Sequence, residues 1–371
     1  MRLLFFVEHF RRAGAGAENY VVSLCLELAR RGYDVHVAAE THDGFDGITV
    51  HPGLAAVEET LRTVRPDVTV DWGFLHAADV HRLGGGTHTE FLRYNLSACP
   101  RPLRWLKRLG YRTGRHRRAA AAEAVMLRNP QALFLPNSAF CARQALASGA
   151  SPEAVHVLHN GVDTTRFSPP LTAARRGVVR QAWGLAEGDV AFLFVAHNLR
   201  LKNLALLRTV FGRLHREFPS VRLVVAGKRR PGFAAPYLVY AGATGAMEEF
   251  YGAADALLHP AFYDSFANVV LEAMSCGLPV VVSDCSGMSE MVSPGEEGWV
   301  LPVTGAGEVA ARWQGTVRRL ALQPEMRRAM GGKARTTALA HSFPRYVDEF
   351  EGWLAEAYAR KARRATDGPQ P

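Results

Sequence analysis

Short apolar runs alternate with amphipathic stretches along most of the chain. RLLFFVEH (2–9) reads as a buried strand. ENYVVSLCLELARRG (18–32) spaces its apolar residues along one helical face and ends on Gly. DVHVAAE (34–40) gives a second strand, and VEETLRTVRPDVTVDW (57–72) a helix, a Pro break and a third strand. Continuous Val, Leu and Phe runs separated by helices indicate a parallel sheet covered on both faces. QALFLPNS (131–138) and AVHVLHNGVD (154–163) close this half, and FSPPLTAARRG (167–177) has the composition of a linker.

The pattern then restarts. DVAFLFVA (189–196), VRLVVAG (221–227), YLVYAG (237–242), ALLHP (256–260), LPVVVSD (278–284) and GWVLPV (298–303) read as strands. Helical patterns occupy 203–218, 246–255, 266–276, 308–341 and 345–364. Two doubly wound, Rossmann-like α/β domains in tandem are predicted, spanning 1–168 and 174–342. Open sheets of this type bind ligands beyond the carboxyl ends of their strands, which predicts a cleft between the two domains.

Composition changes this picture little. The 371 residues suffice for two domains, and about half are apolar. No run approaches the ~20 apolar residues that span a bilayer, and the apolar part of MRLLFFVEHFRR is too short for a secretory signal. Five cysteines without metal-ligand spacing fit reduced thiols in a cytoplasmic protein. Charge is more informative. The net +9 is concentrated at 101–118 and 360–364, and such clusters attract phosphates or an anionic membrane surface. No zinc-finger spacing, basic heptad or RNP-type aromatic accompanies them, so nucleic acid is not an expected partner.

The most informative stretch is YDSFANVVLEAMSCGLPVVV (263–282). A loop feeds a helix for which Ser265 is a plausible N-cap, leaving the amides of Ala267, Asn268 and Val269 for an anion. Asp264 precedes the first turn. Glu272 falls eight residues later in an apolar run, where a carboxylate needs hydrogen-bond donors such as vicinal sugar hydroxyls. An anion pocket flanked by two acceptor groups suits a nucleotide sugar.

These residues resemble the acidic-x7-acidic signature of retaining glycosyltransferases of family 4, which have the GT-B fold; Asp264 stands where Glu is usual. The resemblance implies that Asp264 contacts the donor sugar, Glu272 the ribose, and the amides near Asn268 and Val269 the diphosphate. VAHNLRLKNL (195–204) resembles the family's basic segment, placing Lys202, with Arg200 nearby, against the diphosphate; His197 replaces a common Arg. No DxD pair occurs, so no metal is expected. RRAGAGAENYVV (11–22) resembles the GGAE motif, with Ala15 for the first Gly and Gly16 approaching the donor phosphate. In GGGTHTEFLR (84–93) His88 lies just beyond three glycines and is a candidate for orienting the acceptor hydroxyl or stabilising the charge forming at the anomeric carbon. This segment, the basic arm at 101–118 and LPNS resemble lipopolysaccharide core heptose glucosyltransferases. In this fold the last helix commonly returns to the first domain.

The resemblance implies a metal-independent transfer of a hexose, glucose from UDP-glucose, to a lipopolysaccharide-type or lipid-linked glycan at the inner face of the cytoplasmic membrane. GDP-mannose is the alternative donor. Two other classes stay open: a sugar-nucleotide-binding protein without catalysis, favoured by Ala15, His197 and Asp264, and a GT-B epimerase. A dinucleotide-binding enzyme is disfavoured, because Asn19 replaces the third Gly of the fingerprint and several residues separate strand from glycines.

Overall fold

The computed structural model describes residues 1–11, 16–169, 175–305 and 308–367. They form two compact units, one from Met1–Glu90, Tyr111–Asn160 and the chain after Pro344, the other from Phe91–Gly110 and Gly161–Phe343.

The first unit holds β1 (Arg2–Phe10), β2 (Asp34–His42), β3 (Ile48–Pro52), β4 (Val68–Asp71), β5 (Val80–Leu83) and β6 (Leu133–Pro136). All pair in parallel, in the order β3-β2-β1-β4-β5-β6. The helices up to this unit's end are α1 (Gly16–Arg30), α2 (Val57–Val64), α3 (His88–Ser97), α4 (Arg104–Gly110), α5 (Gly114–Leu127) and α6 (Ala139–Ala147). Segment 91–110, expected within the first domain, groups instead with the second unit. It carries α4 and most of α3. Its anchors are aromatic: the rings of Phe91 and Tyr94 lie 5.8 and 5.2 Å from that of Tyr263.

The second unit repeats the architecture. It contains α7 (Arg176–Ala182), β7 (Val190–Val195), α8 (Leu204–Glu217), β8 (Val221–Ala226), β9 (Leu238–Gly242), α9 (Met247–Ala253), β10 (Ala256–His259), α10 (Asn268–Ser275), β11 (Val280–Ser283), β12 (Gly298–Leu301), α11 (Val309–Leu322) and α12 (Pro324–Leu339). Strand order is β12-β11-β10-β7-β8-β9, the same arrangement with the same point of reversal. Apolar runs arise because both faces are covered: Ala191 and Leu193 of β7 enter one core, Phe192 and Phe194 the other. Part of the expected linker, 170–174, lies outside the described residues. The last helix, α13 (Phe343–Asp367), packs within the first unit. Arg31 donates to both Asp348 and Glu351 at 2.6 Å, and His156 stacks on Trp353 with centroids 4.2 Å apart.

Candidate functional site

In the second sheet the chain runs outward from β7 to β9, then returns to lay β10 against the other side of β7. Loops leaving β7 and β10 therefore diverge, and the carboxyl ends of these two strands frame the ligand crevice of an open α/β sheet. The loop after β7 is 196–203 and the loop after β10 is 260–267. The Phe262 amide donates to the Leu201 carbonyl at 2.9 Å and ties one loop to the other.

Each loop is fixed by its own polar residues. Asn203 takes a left-handed backbone (φ 64°) and its side chain accepts the Leu206 amide, capping α8. Asn198 accepts from the Leu201 amide through its side chain at 3.1 Å and from the Lys202 amide through its carbonyl at 2.9 Å. In the second loop Asp264 does most of the holding. Its amide donates to the Cys285 carbonyl and its carbonyl accepts the Gly287 amide, pairing this loop with the chain after β11. Its carboxylate accepts the Ala267 amide at 3.0 Å, so this amide, expected to face an anion, is instead taken by the protein's own carboxylate. Ser265 was the expected N-cap of the following helix. The helix instead begins at Asn268, with Ala267 in the N-cap position and no side-chain cap at that residue. Ala267 sits at φ 20°, so the turn that Asp264 braces is unusual for a residue with a Cβ. At the far end, Gly277 (φ 79°) closes α10: its amide donates to Met274 and that of Leu278 to Ala273, a paired C-cap requiring the left-handed region.

Lys202 and Asp264 meet. The ammonium contacts Oδ2, and the same oxygen accepts Nε2–H of His259 at 2.9 Å. Because His259 faces a carboxylate, the proton is assigned to Nε2. Burial opposes ionisation of Asp264, but the Lys202 charge and the His259 hydrogen bond outweigh it and hold the carboxyl well below the usual range. Burial keeps His259 neutral by pushing its pKa down, against the pull of Asp264. His259 was not expected as a site residue; a histidine closing the apolar run ALLH was its one signal.

Glu272 belongs to a neighbouring cluster. In α10, Val270, Leu271, Ala273 and Met274 are buried while Asn268, Val269 and Glu272 are partly exposed, so Asn268 and Glu272 share the open face at i and i+4. The sequence left sugar hydroxyls as donors to Glu272; the protein supplies one itself, the Tyr251 hydroxyl at 2.6 Å. Burial raises the Glu272 pKa, opposed by that hydrogen bond and by Arg166. Arg200 is placed differently from the expectation: it donates to the Asn95 side chain at 3.1 Å, where Lys107 also donates at 2.8 Å. Lys202, Asp264 and Ala267 are thus joined directly, the α10 face carrying Asn268, Val269 and Glu272 follows, and Arg200 is tied to segment 91–110.

Gly16 and His88 lie in the first unit. Gly16 opens α1; Gly14 and Ala15 of the glycine motif fall outside the described residues. His88 opens α3, its Nε2 lies 3.0 Å from Nδ1 of His116, and burial followed by the charges of His116 and Arg115 lowers its pKa. Beneath it, buried Glu123 accepts the His88 amide at 2.7 Å. Desolvation pushes the Glu123 pKa up to about 7 despite that hydrogen bond. The folded chain then holds a proton here that the unfolded chain releases near pH ~4.3. Stability is full below that pH and declines as pH rises to about 7. Glu123→Gln keeps the acceptor and stays neutral, so it should stabilise the protein at pH 8 by up to about 3 kcal/mol and add nothing at pH 4. Thermal unfolding at both pH values checks this; equal melting of the two proteins at pH 8 would refute it.

Among the described residues no group of three or more His, Cys, Asp or Glu is arranged to hold a metal ion. Among them, too, no helix is long and apolar enough to cross a membrane.

Comparison with known proteins matches residues 176–337 to the family Glycosyl transferases group 1 and residues 14–166 to Glycosyltransferase Family 4. A GDP-mannose-dependent alpha-mannosyltransferase of Mycobacterium tuberculosis is 27% identical, over 98% of this chain and 99% of its own. A D-inositol 3-phosphate glycosyltransferase of Actinosynnema mirum is 31% identical, over 54% of this chain and 51% of its own; the chain spans about half of that relative. Among solved structures, WaaG, a glycosyltransferase involved in lipopolysaccharide biosynthesis, superposes with a TM-score of 0.78 at 19% identity, covering 94% of this chain and 98% of WaaG. Anabaena Alr3699/HepE in complex with UDP gives 0.74 at 16% identity, covering 96% and 100%.

Proposed function

We propose that this chain, a family 4-like glycosyltransferase of the GT-B fold, moves a hexose from a nucleoside diphosphate sugar to a phosphorylated or lipid-linked glycan, with retention and without a metal. One observation carries the donor half: a lysine and the start of a helix meet at the point of strand reversal, with a helical carboxylate on the adjoining open face. Lys202 and the first amides of α10 suit the diphosphate, and Glu272 suits the ribose hydroxyls. Cationic groups there stabilise the leaving diphosphate as charge develops on it.

GDP-mannose takes first place as donor, because two relatives aligned over 98% of the chain are described as GDP-mannose-dependent alpha-mannosyltransferases. UDP-glucose takes second place, supported by the resemblance of GGGTH, the basic arm and LPNS to heptose glucosyltransferases. Thermal shift with UDP, GDP, UDP-glucose and GDP-mannose ranks them, since a ligand at 100 times its Kd adds about 2.7 kcal/mol. If none of the four raises the melting temperature, the donor assignment fails. Binding without donor hydrolysis or transfer would instead select the non-catalytic reading.

For the acceptor side, α4 supplies the supporting feature. Leu103, in the turn leading into the helix, and Trp105, Leu106 and Leu109 within it are each half exposed or more, beside Arg104, Lys107 and Arg108. Exposed Trp and Leu interleaved with cations suit an anionic interface, where apolar side chains insert and basic ones meet headgroups. The protein should sediment with phosphatidylglycerol vesicles and not with phosphatidylcholine vesicles; equal recovery with both would remove the membrane-surface reading.

A further inference from the structure

We propose that Asp264 is a built-in competitor for Lys202 that biases the donor site against the bare nucleoside diphosphate product and in favour of the sugar-bearing donor. The inference rests on the donor-site reading above and assigns a discriminating role within that site.

The geometry is specific. Lys202 contacts Oδ2 of Asp264 directly. The carboxylate cannot turn away, because His259, 1% exposed, donates to the same oxygen while the Ala267 amide holds the other at 3.0 Å. The backbone on both sides of the carboxylate is pinned to Cys285 and Gly287. Yet the pair is open to a ligand: the Asp264 side chain is 16% exposed and that of Lys202 20%. A phosphate drawn to this ammonium therefore arrives beside a fixed anion.

Two incoming molecules meet that anion differently. In a nucleotide sugar the terminal phosphate is esterified and carries one negative charge, and the sugar beyond it brings hydroxyls that can donate to a carboxylate. In the product the ester is gone, the terminal phosphate carries about −1.5 to −2, and no hydroxyl remains to offset Asp264. Two like charges sharing one ammonium stand within about 5 Å, close enough for repulsion to change affinity by at least about tenfold. Repulsion thus weighs more heavily on product than on donor. The lysine, on a flexible four-carbon stem, can exchange carboxylate for phosphate without moving the loop. His259 acts on this device indirectly, as a positioning residue.

The sign separates this role from its rivals. A group that only contacts the sugar would leave affinity for bare UDP and GDP unchanged when neutralised. A group that only orients Lys202 would, when neutralised, weaken it. A competitor would strengthen it.

The experiment is calorimetric titration of UDP and GDP into the wild type, Asp264→Asn, Lys202→Ala and the double variant, with Asp264→Ser as a second neutral acceptor in case Asn disturbs the turn. For whichever nucleotide the wild type binds, both Asp264 variants should bind about tenfold tighter or more, while turnover of the sugar nucleotide falls. In the Lys202→Ala background the competition for the ammonium is gone and only the repulsion remains, so neutralising Asp264 should still tighten binding, and the double-variant cycle separates the two effects. Unchanged or weaker binding in both Asp264 variants, with melting curves like the wild type, would overturn the proposal. Wild-type protein that binds neither nucleotide would overturn the donor-site reading itself, which is a distinguishable failure.

Discussion

Lys202→Ala is expected to lower kcat/KM for donor turnover by about 10²–10³, the cost of removing one preorganised charged group from a developing oxyanion. Two effects add in this variant, and their sizes decide how to read it. Loss of the ammonium removes the positive side chain at the crevice that touches Asp264. It also leaves that carboxylate with His259 and the Phe266 and Ala267 amides as its donors. The second effect is a stability effect and is modest, because the carboxylate retains some solvent and three donors. A fall of a few degrees in melting temperature with a hundredfold loss of turnover would fit both. Lys202→Arg keeps the charge but replaces a compact ammonium by a planar fork, and should recover part of the turnover. A loss below tenfold in Lys202→Ala, with nucleoside diphosphate affinity unchanged, would place the diphosphate elsewhere.

The donor half was largely readable from sequence, and for a physical reason. Each strand of the second sheet is covered on both faces, so it appears as an uninterrupted apolar run, and each intervening helix keeps a clean stripe. Strands and helices expected from 189 to 303 are all present, with ends shifted by at most two residues. The helical stretch 308–341 divides into α11 and α12, with Pro324 opening the second. The first half was less legible. Strand β5 is VHRL, whose His81 and Arg82 are almost fully buried, and no periodicity marks such a strand. Arg82 is tolerated there because Leu135, Leu158 and Asn160 accept its hydrogen bonds, partners supplied only by the folded chain. Strand β3 ends in Pro at the sheet edge, and α3 to α6 carry weak or mixed stripes.

At the site, residue types were legible and partnerships were not. Asp264, Lys202 and Glu272 stand out by charge in apolar surroundings. That the first two pair with each other, that Tyr251 answers the third, and that Asn95 takes Arg200 depend on contacts 21 to 105 residues apart in sequence. No spacing rule encodes them.

Gly227 shows the same limit at the backbone, and Gly227→Ala is the second large effect expected. In VRLVVAG this glycine looks like an ordinary strand end. It adopts φ +144°, and a Cβ there would stand 2.1 Å from the Ala196 carbonyl oxygen and 3.0 Å from its carbon. Neither atom can yield easily, since the Ala196 amide is bound to the Ala226 carbonyl and the Gly227 amide to that of Gly242. Backbone strain and the clash together should cost about 3 kcal/mol or more, roughly 6–12 °C in melting temperature for a unit of this size. Ala196 is also the first residue of the loop that carries Lys202. Relief of the clash by shifting that carbonyl would displace the ammonium, and misplacement by about 1 Å is enough to cost up to about a hundredfold in rate. Gly188→Ala is the control: that glycine has nothing within 4 Å of its added Cβ and no left-handed φ, so its stability should stay within about 0.5 kcal/mol. If Gly227→Ala melts with Gly188→Ala and turns over donor normally, the close approach of β8 to the Lys202 loop is not what fixes that loop.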